Sequence, residues 1–156
     1  MKSKRKKSKR QKLKDETFKW MSRYVRLLAA VEYTKVHPDA ANRIAPCVSC
    51  GKPCDIKYEA DAGHFVGRGM GGNSGVYFDE RNVNLQCKKC NAWESQNVRP
   101  AYREYLVNKY GEKVVEELEI LHKIKSYNEI EIISLGVYYK EQYENLCKQI
   151  NRSTEW

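Results

Sequence analysis

Long apolar runs are missing from this chain. The longest, Leu27 to Val31, has five residues, against the roughly 20 that a membrane-spanning helix needs. Its charged beginning has no apolar stretch behind it of the kind a secretory signal requires, so the expectation is a soluble cytoplasmic protein with no membrane partner. The G-x-x-x-x-G-K-[ST] order of a phosphate-binding loop is absent, which excludes that mode of nucleotide binding. Acidic residues are missing from the first fourteen positions, which hold nine Lys and Arg. Only three histidines are present, so each can be weighed alone.

What is there bounds the fold. A length of 156 residues with 41% hydrophobic content supports one modest core and excludes a large multidomain enzyme. Lys and Arg total 29 against 20 acidic residues; the whole excess lies in residues 1–14, and the remainder is neutral overall. Residues 1–14 lack the apolar side chains that would offset the entropy of ordering, which predicts a disordered basic arm suited to a polyphosphate partner, or else a solubility or targeting tail.

Five of the six cysteines fall between Cys47 and Cys90, and four form the pairs Cys47-x-x-Cys50 and Cys87-x-x-Cys90. Two such half-sites give zinc four thiolates and no open position, the mark of a structural Zn²⁺ site. The competing readings are two disulfides in an exported protein, which conflicts with the missing signal, or two unrelated redox pairs. Cys54 breaks the spacing, and Cys147 reads as a helix core residue.

From Asp15 to about His37, Phe18, Met21, Val25 and Leu28 recur at three and four, an amphipathic helix with Asp15 and Glu16 at its positive end. Lys57–Val66 reads as a strand and Val76–Phe78 as the start of a second, giving a hairpin pinned at its base by metal. Asn91 opens a short helix. Pro100 sits in the first turn of another that runs to about Tyr110, where Gly111 stops it, Val114 to Leu121 mark a third, and Asn128 with Glu131, or Ser126 with Glu129, caps a last one carrying Ile132, Leu135, Tyr139, Tyr143, Leu146 and Ile150. The division expected is a basic arm over 1–14, an N-terminal helix and linker over 15–46, a zinc-stapled core over 47–98 and a helical region over 99–156.

Between the knuckles lie Asp61-Ala-Gly-His64, Phe78-Asp-Glu-Arg-Asn82, Gln86-Cys87 and Cys90-Asn91. In this order they resemble the zinc-stapled His-metal finger (HNH-type) nucleases, and most of all the phage recombination endonucleases of the NinG (Rap) type. The likeness continues through Pro100-Ala-Tyr-Arg103 and covers most of residues 20–150. Endonuclease VII of phages shares the wider arrangement, including an asparagine after the last cysteine. The resemblance implies an α+β fold, a small zinc-stapled ββα-metal (His-Me finger) core embedded in a mostly helical chain. It also implies a structure-selective DNA endonuclease acting on Holliday junctions or D-loops in a phage-infected or prophage-carrying bacterial host, with recombination proteins as further partners.

Phosphodiester hydrolysis needs a base for water and positive charge beside phosphorus. His64 is the base in this reading, since imidazole accepts a proton near pH 7; His37 and His122 are hydrogen-bonded fillers. Asn91 would offer its carboxamide oxygen to catalytic Mg²⁺ (or Mn²⁺), or act as a helix N-cap. Asn82, by resemblance, holds a loop and orients the histidine; by itself it passes for a turn residue. Many such nucleases carry an acidic metal ligand directly before the histidine, where this chain has Gly63. Asp61 faces the same side of a strand, and a bulge at Gly63 would close the gap; Asp79 and Glu80 are the fallbacks. Five glycines in the Gly67–Gly75 loop would admit DNA backbone closely. The expected DNA contacts are Lys4, Arg5, Lys6, Lys7 and Arg10 in the arm and Arg68, Arg81, Lys88 and Lys89 around the site. A homodimer through the helical tail would supply two cuts. The alternatives are a zinc-knuckle DNA-binding protein without catalysis, which would need no His64, Asn82 and Asn91 set, and a small RNA-associated zinc protein.

Overall fold

The computed structural model describes residues 7–67, 74–92 and 98–155. Its first element is the long helix α1 (Lys9–Thr34), opened by Ser8, whose Oγ accepts from the Gln11 N–H at 3.1 Å. The helix therefore starts six residues before Asp15, and the expectation of a disordered arm up to residue 14 is corrected. The reason is tertiary. Leu13 packs on the core, and Lys14 is only 4% exposed. Asp15 and Glu16 consequently lie inside the helix, and its first turn holds no acid.

Two short antiparallel ribbons follow. Strands β1 (Ile44–Pro46) and β2 (Pro53–Asp55) pair with Ile44 opposite Asp55, and the first knuckle is the turn between them. Gly51 has φ of +71°, a conformation that favours glycine, and its N–H reaches the Cys47 carbonyl at 2.8 Å. Strands β3 (Ala60–His64) and β4 (Val83–Cys87) form the second ribbon with Ala60 opposite Cys87 and His64 opposite Val83. β3 begins later than Lys57 because Asp55 closes a turn, its Oδ1 accepting from the N–H of Lys57 and of Tyr58 at 2.8 and 3.0 Å. Val76–Phe78 is not a strand. These residues lie in consecutive turns, with the Tyr77 N–H on the Ser74 carbonyl and the Asn82 N–H on the Asp79 carbonyl, and the strand that pairs starts at Val83.

The remaining elements are helical: α2 (Lys88–Ala92), α3 (Val98–Tyr110), α4 (Glu112–Ile124) and α5 (Glu129–Gln149). Of the two capping boxes conceivable before α5, Asn128 with Glu131 forms. The α1 and α5 helices pack together: Met21, Val25, Ile132 and Tyr139 share one buried cluster with Ala62 of β3, and Leu27, Ala30, Tyr143, Leu146 and Cys147 share another with Ala60 and the knuckles. The Tyr139 hydroxyl donates to the Phe78 carbonyl at 2.8 Å, tying α5 to the turn beside β3. Phe65, Tyr102, Leu106, Val115 and Leu118 close a third cluster beneath α3 and α4. The outward side of α5 leaves Ile130, Ile133, Val137 and Tyr138 exposed. Among the described residues no helix is long and apolar enough to cross a membrane.

Candidate metal centre and adjoining site

The ligand atoms of Cys47, Cys50, Cys87 and Cys90 all lie within 4.8 Å of one another. The Cys50 and Cys87 sulfurs are 3.9 Å apart, close to the roughly 3.8 Å between sulfurs bound tetrahedrally at ~2.3 Å. The donor set thus fits a structural metal such as zinc. One pair comes from the β1–β2 turn and the other from the end of β4 and the start of α2, so a metal held here would staple the two ribbons. Burial pushes the Cys47 and Cys90 thiols up; at Cys87 burial works the same way but is outweighed by the Cys90 N–H and the neighbouring thiols, which hold it below the usual thiol range. Cys54 stays outside the cluster: its Sγ donates to the Lys52 carbonyl at 3.2 Å, and burial pushes it up to about 11. Cys147 is a fully buried core residue.

One strand length from the cysteines, the regular β3–β4 ladder places Asp61 and Gly63 on one face and Ala60, Ala62 and His64 on the other. No bulge interrupts it, so the expected kink at Gly63 is corrected. Asp61 instead meets Asn91 directly: the Asn91 Nδ2 donates to Asp61 Oδ2 at 3.3 Å. Asn91 lies near the end of α2 and is not its N-cap. Gly63 is glycine for a steric reason. A Cβ there would fall 1.8 Å from Gln86 Oε1 and 3.0 Å from Asn91 Oδ1. Gln86 is fixed in that position by its own hydrogen bond to Ser49 Oγ at 2.8 Å. An acidic side chain at 63 would have no room.

His64 packs against Phe18 of α1, ring centroids 5.0 Å apart, and its Nε2 is 3.0 Å from the Tyr77 carbonyl oxygen. A carbonyl only accepts, so in the neutral ring this contact places the proton on Nε2. His64 and Asn91 border the same cavity of about 150 Å³, together with Gln86, Arg99 and Tyr102.

Asn82 is fully buried. Its Oδ1 accepts from the Val66 N–H at 2.7 Å, and its Nδ2 donates to the Val66 and Val76 carbonyls at 3.1 and 3.0 Å. These bonds clamp together the two chain segments that flank the glycine loop, immediately after His64. Tyr102 and Arg99 brace the same segment, and sequence reasoning did not single them out. The buried Tyr102 hydroxyl donates to the Gly63 carbonyl at 2.8 Å, and Arg99 donates to the Phe65 carbonyl at 3.1 Å. The Pro100-Ala-Tyr-Arg103 stretch contains Tyr102 but not Arg99, and nothing local shows that either reaches back over thirty residues.

The expected DNA contacts fare unevenly. Lys4, Arg5, Lys6 and Arg68 lie outside the described residues. Lys7 pairs with Asp15, and Arg10 donates to the Tyr127 carbonyl. Arg81 is turned inward: it makes two bonds to Asp79, at 2.7 and 3.0 Å, and one to Glu117 at 3.0 Å, so its charge is answered within the chain. That arrangement occupies Asp79 too. Lys88 and Lys89 are exposed and share a groove with Lys52 beside the knuckles. His37 packs at a tilt against Tyr33, and His122 Nδ1 bonds to Ser74 Oγ at 2.8 Å, both away from the site.

The fold and the cysteine cluster define a small α+β protein in which a four-thiolate cradle joins two strand ribbons to a short helix. Comparison of the sequence with known families gives a more particular answer: residues 1–152 match the model of the bacteriophage lambda NinG protein, and the chain belongs to that family. It is 33% identical over 105 residues to protein ninG of Escherichia phage 933W and to that of Salmonella phage P22, and 31% identical to that of Escherichia phage lambda; each match covers 67% of this chain. The matched part is 50%, 49% and 49% of those relatives, so the chain spans about half their length. No solved structure matches.

Proposed function

We propose that this chain is a metal-dependent, structure-selective DNA endonuclease of the HNH type, with a His-Me finger core stapled by zinc, acting on branched recombination intermediates in the cytoplasm of a phage-carrying host. The observation that carries the reading is the pairing of Asp61 with Asn91 at 3.3 Å, where Asn91 borders one cavity with His64, whose Nε2 meets a carbonyl. Two oxygens on adjacent corners of a Mg²⁺ octahedron lie about 3.0 Å apart at ~2.1 Å bond lengths. A half-turn of the Asn91 carboxamide would put its oxygen where the nitrogen now stands, so this pair fits a hard divalent cation. Such a cation, when bound, supplies positive charge to a phosphate and to a departing 3′-oxygen. The chain's own work is then to take the proton of an attacking water at His64 Nδ1, with Phe18 and Tyr77 fixing the ring and Asn82 and Tyr102 fixing the backbone that carries it.

The preference for Holliday junctions or D-loops rests on the family resemblance. The outward apolar stripe of α5 is where a second copy would pair to supply a second cut, and recombination proteins would deliver the enzyme. The test is His64→Ala with labelled four-way, D-loop and linear DNA in Mg²⁺ or Mn²⁺. Cleavage is expected to fall 10²–10⁴-fold, the usual worth of a general base, while zinc content and DNA binding persist. A wild-type protein that binds these substrates and never nicks one establishes the non-catalytic zinc-knuckle binder instead.

A further inference from the structure

A groove runs along α1 on the side of the ribbon that carries His64. Its walls are Phe18 and Tyr77, the two rings that hold the histidine, and its floor and rim are Lys19, Ser22, Arg23 and Arg26 with Asp15 at one end. The charges are not equivalent. Asp15 is answered by Lys7 at 2.6 Å and by Gln11 at 2.8 Å. Arg26 is structural, donating to the Ser22, Ile56 and Ala60 carbonyls. Among the described residues the one carboxylate that pairs with Lys19 is the exposed Glu16, at 3.1 Å, a contact that solvent and salt weaken, and its ammonium also lies 5.4 Å from the Trp20 ring. Arg23 lies over the Trp20 ring at 4.9 Å, and among the described residues no carboxylate pairs with it. The cations that the sequence pointed to near the site behave otherwise: Arg81 is saturated by Asp79 and Glu117.

We infer that this groove is a DNA-backbone track, in which Lys19 and Arg23 neutralise phosphates of the strand that runs past His64. The two residues are one helical turn apart, about 6 Å along the axis, so they can address neighbouring phosphates of one strand while Ser22 offers a hydroxyl between them. Arg26 fixes the track's position, since its bonds to β3 and the preceding turn lock α1 against the strand that ends in His64. The inference rests on the nucleic-acid part of the function proposed above and not on cleavage.

The test is equilibrium binding of the full chain to labelled four-way and linear duplex DNA across a salt series without added divalent cation. Each lost phosphate contact lowers the slope of log K against log salt by about one and, near physiological salt, weakens binding about fivefold. The K19Q/R23Q variant is thus expected to bind about 30-fold more weakly, with a slope reduced by about two. A charge-matched control, K113Q/K148Q, removes two cations from α4 and α5 and is expected to stay within about twofold. Because Arg23 also packs on Trp20, K19Q alone, at an exposed position, provides a variant that keeps the fold, expected at about fivefold. Equal losses in K19Q/R23Q and in the control, or no loss in K19Q, would overturn the track. Weakened binding by a chain that never cleaves DNA would leave the track standing and remove the nuclease; normal binding by a K19Q/R23Q variant of a chain that does cleave would do the reverse.

Discussion

Replacing Asn82 by alanine removes three hydrogen bonds at a fully buried point, to the Val66 N–H and to the Val66 and Val76 carbonyls. A buried backbone group left without a partner costs about 1–3 kcal/mol. Water entering the vacated volume would re-solvate some of these groups, so the expected loss is about 3–5 kcal/mol in all. For a chain of this size that corresponds to a melting temperature lower by roughly 10 °C. Asn82→Asp separates the contributions. It keeps an acceptor for the Val66 N–H but sets a carboxylate against two carbonyl oxygens, so it should be as damaging as alanine at neutral pH and recover partly in acid, where the protonated carboxyl can donate. Thermal and urea unfolding followed by circular dichroism measure the stability, and cleavage of branched DNA measures the consequence for His64, which lies two residues before the clamped Val66. An Asn82→Ala protein within about 0.5 kcal/mol of wild type would refute the clamp, and with it the account of how the histidine is positioned.

Four further outcomes follow from the same geometry. Purified protein should carry about one zinc per chain; Cys50→Ser or chelation should abolish it and unfold the two ribbons, because a four-thiolate zinc contributes on the order of 10 kcal/mol to folding, and unchanged melting after metal removal would count against the staple. Gly63→Ala must displace Gln86 and crowd Asn91, so the concentration of Mg²⁺ needed for cleavage should rise well before the melting temperature falls; equal metal requirement in both proteins would argue against Asp61 and Asn91 as the cation pair. Burial, opposed by the Tyr138 hydrogen bond and reinforced by Asp79, raises the Glu80 carboxyl above its ordinary range. A group raised by folding favours the fold below its unfolded pKa and loses that contribution as pH rises through the folded one, so Glu80→Gln should melt higher than wild type at pH 7 with the gap closing toward pH 4, and a gap that widens in acid would contradict the assignment. Sedimentation should show a dimer that Ile133→Glu with Val137→Glu converts to monomer, both positions being about half exposed at 51% and 53%; a wild-type monomer at the highest soluble concentration would exclude pairing through α5.

The parts of this protein legible in its sequence are those whose physics is local. Two C-x-x-C pairs announce a metal cradle because a knuckle is a four-residue structure. The cap at Asn128, the place of Pro100 in a first helical turn and the helix end before Gly111 also follow from neighbours in the chain. Tertiary structure decided whatever depends on partners far away. Arg81 looked like a phosphate ligand until Glu117, on α4, came within 3.0 Å. Lys14 counted as arm until burial against the α1–α5 core drew the helix start back to Lys9. Strand pairing passed over Val76–Phe78 for Val83–Cys87 because the knuckle fixes Cys87 opposite Ala60 and the ladder must run back from there. Asp61 and Asn91 are thirty residues apart, and only the folding of α2 against β3 sets a carboxylate beside a carboxamide. Residue types are written in the chain; which charges remain unanswered is settled by packing, since a cation and its carboxylate cancel at 3 Å wherever in the chain they began.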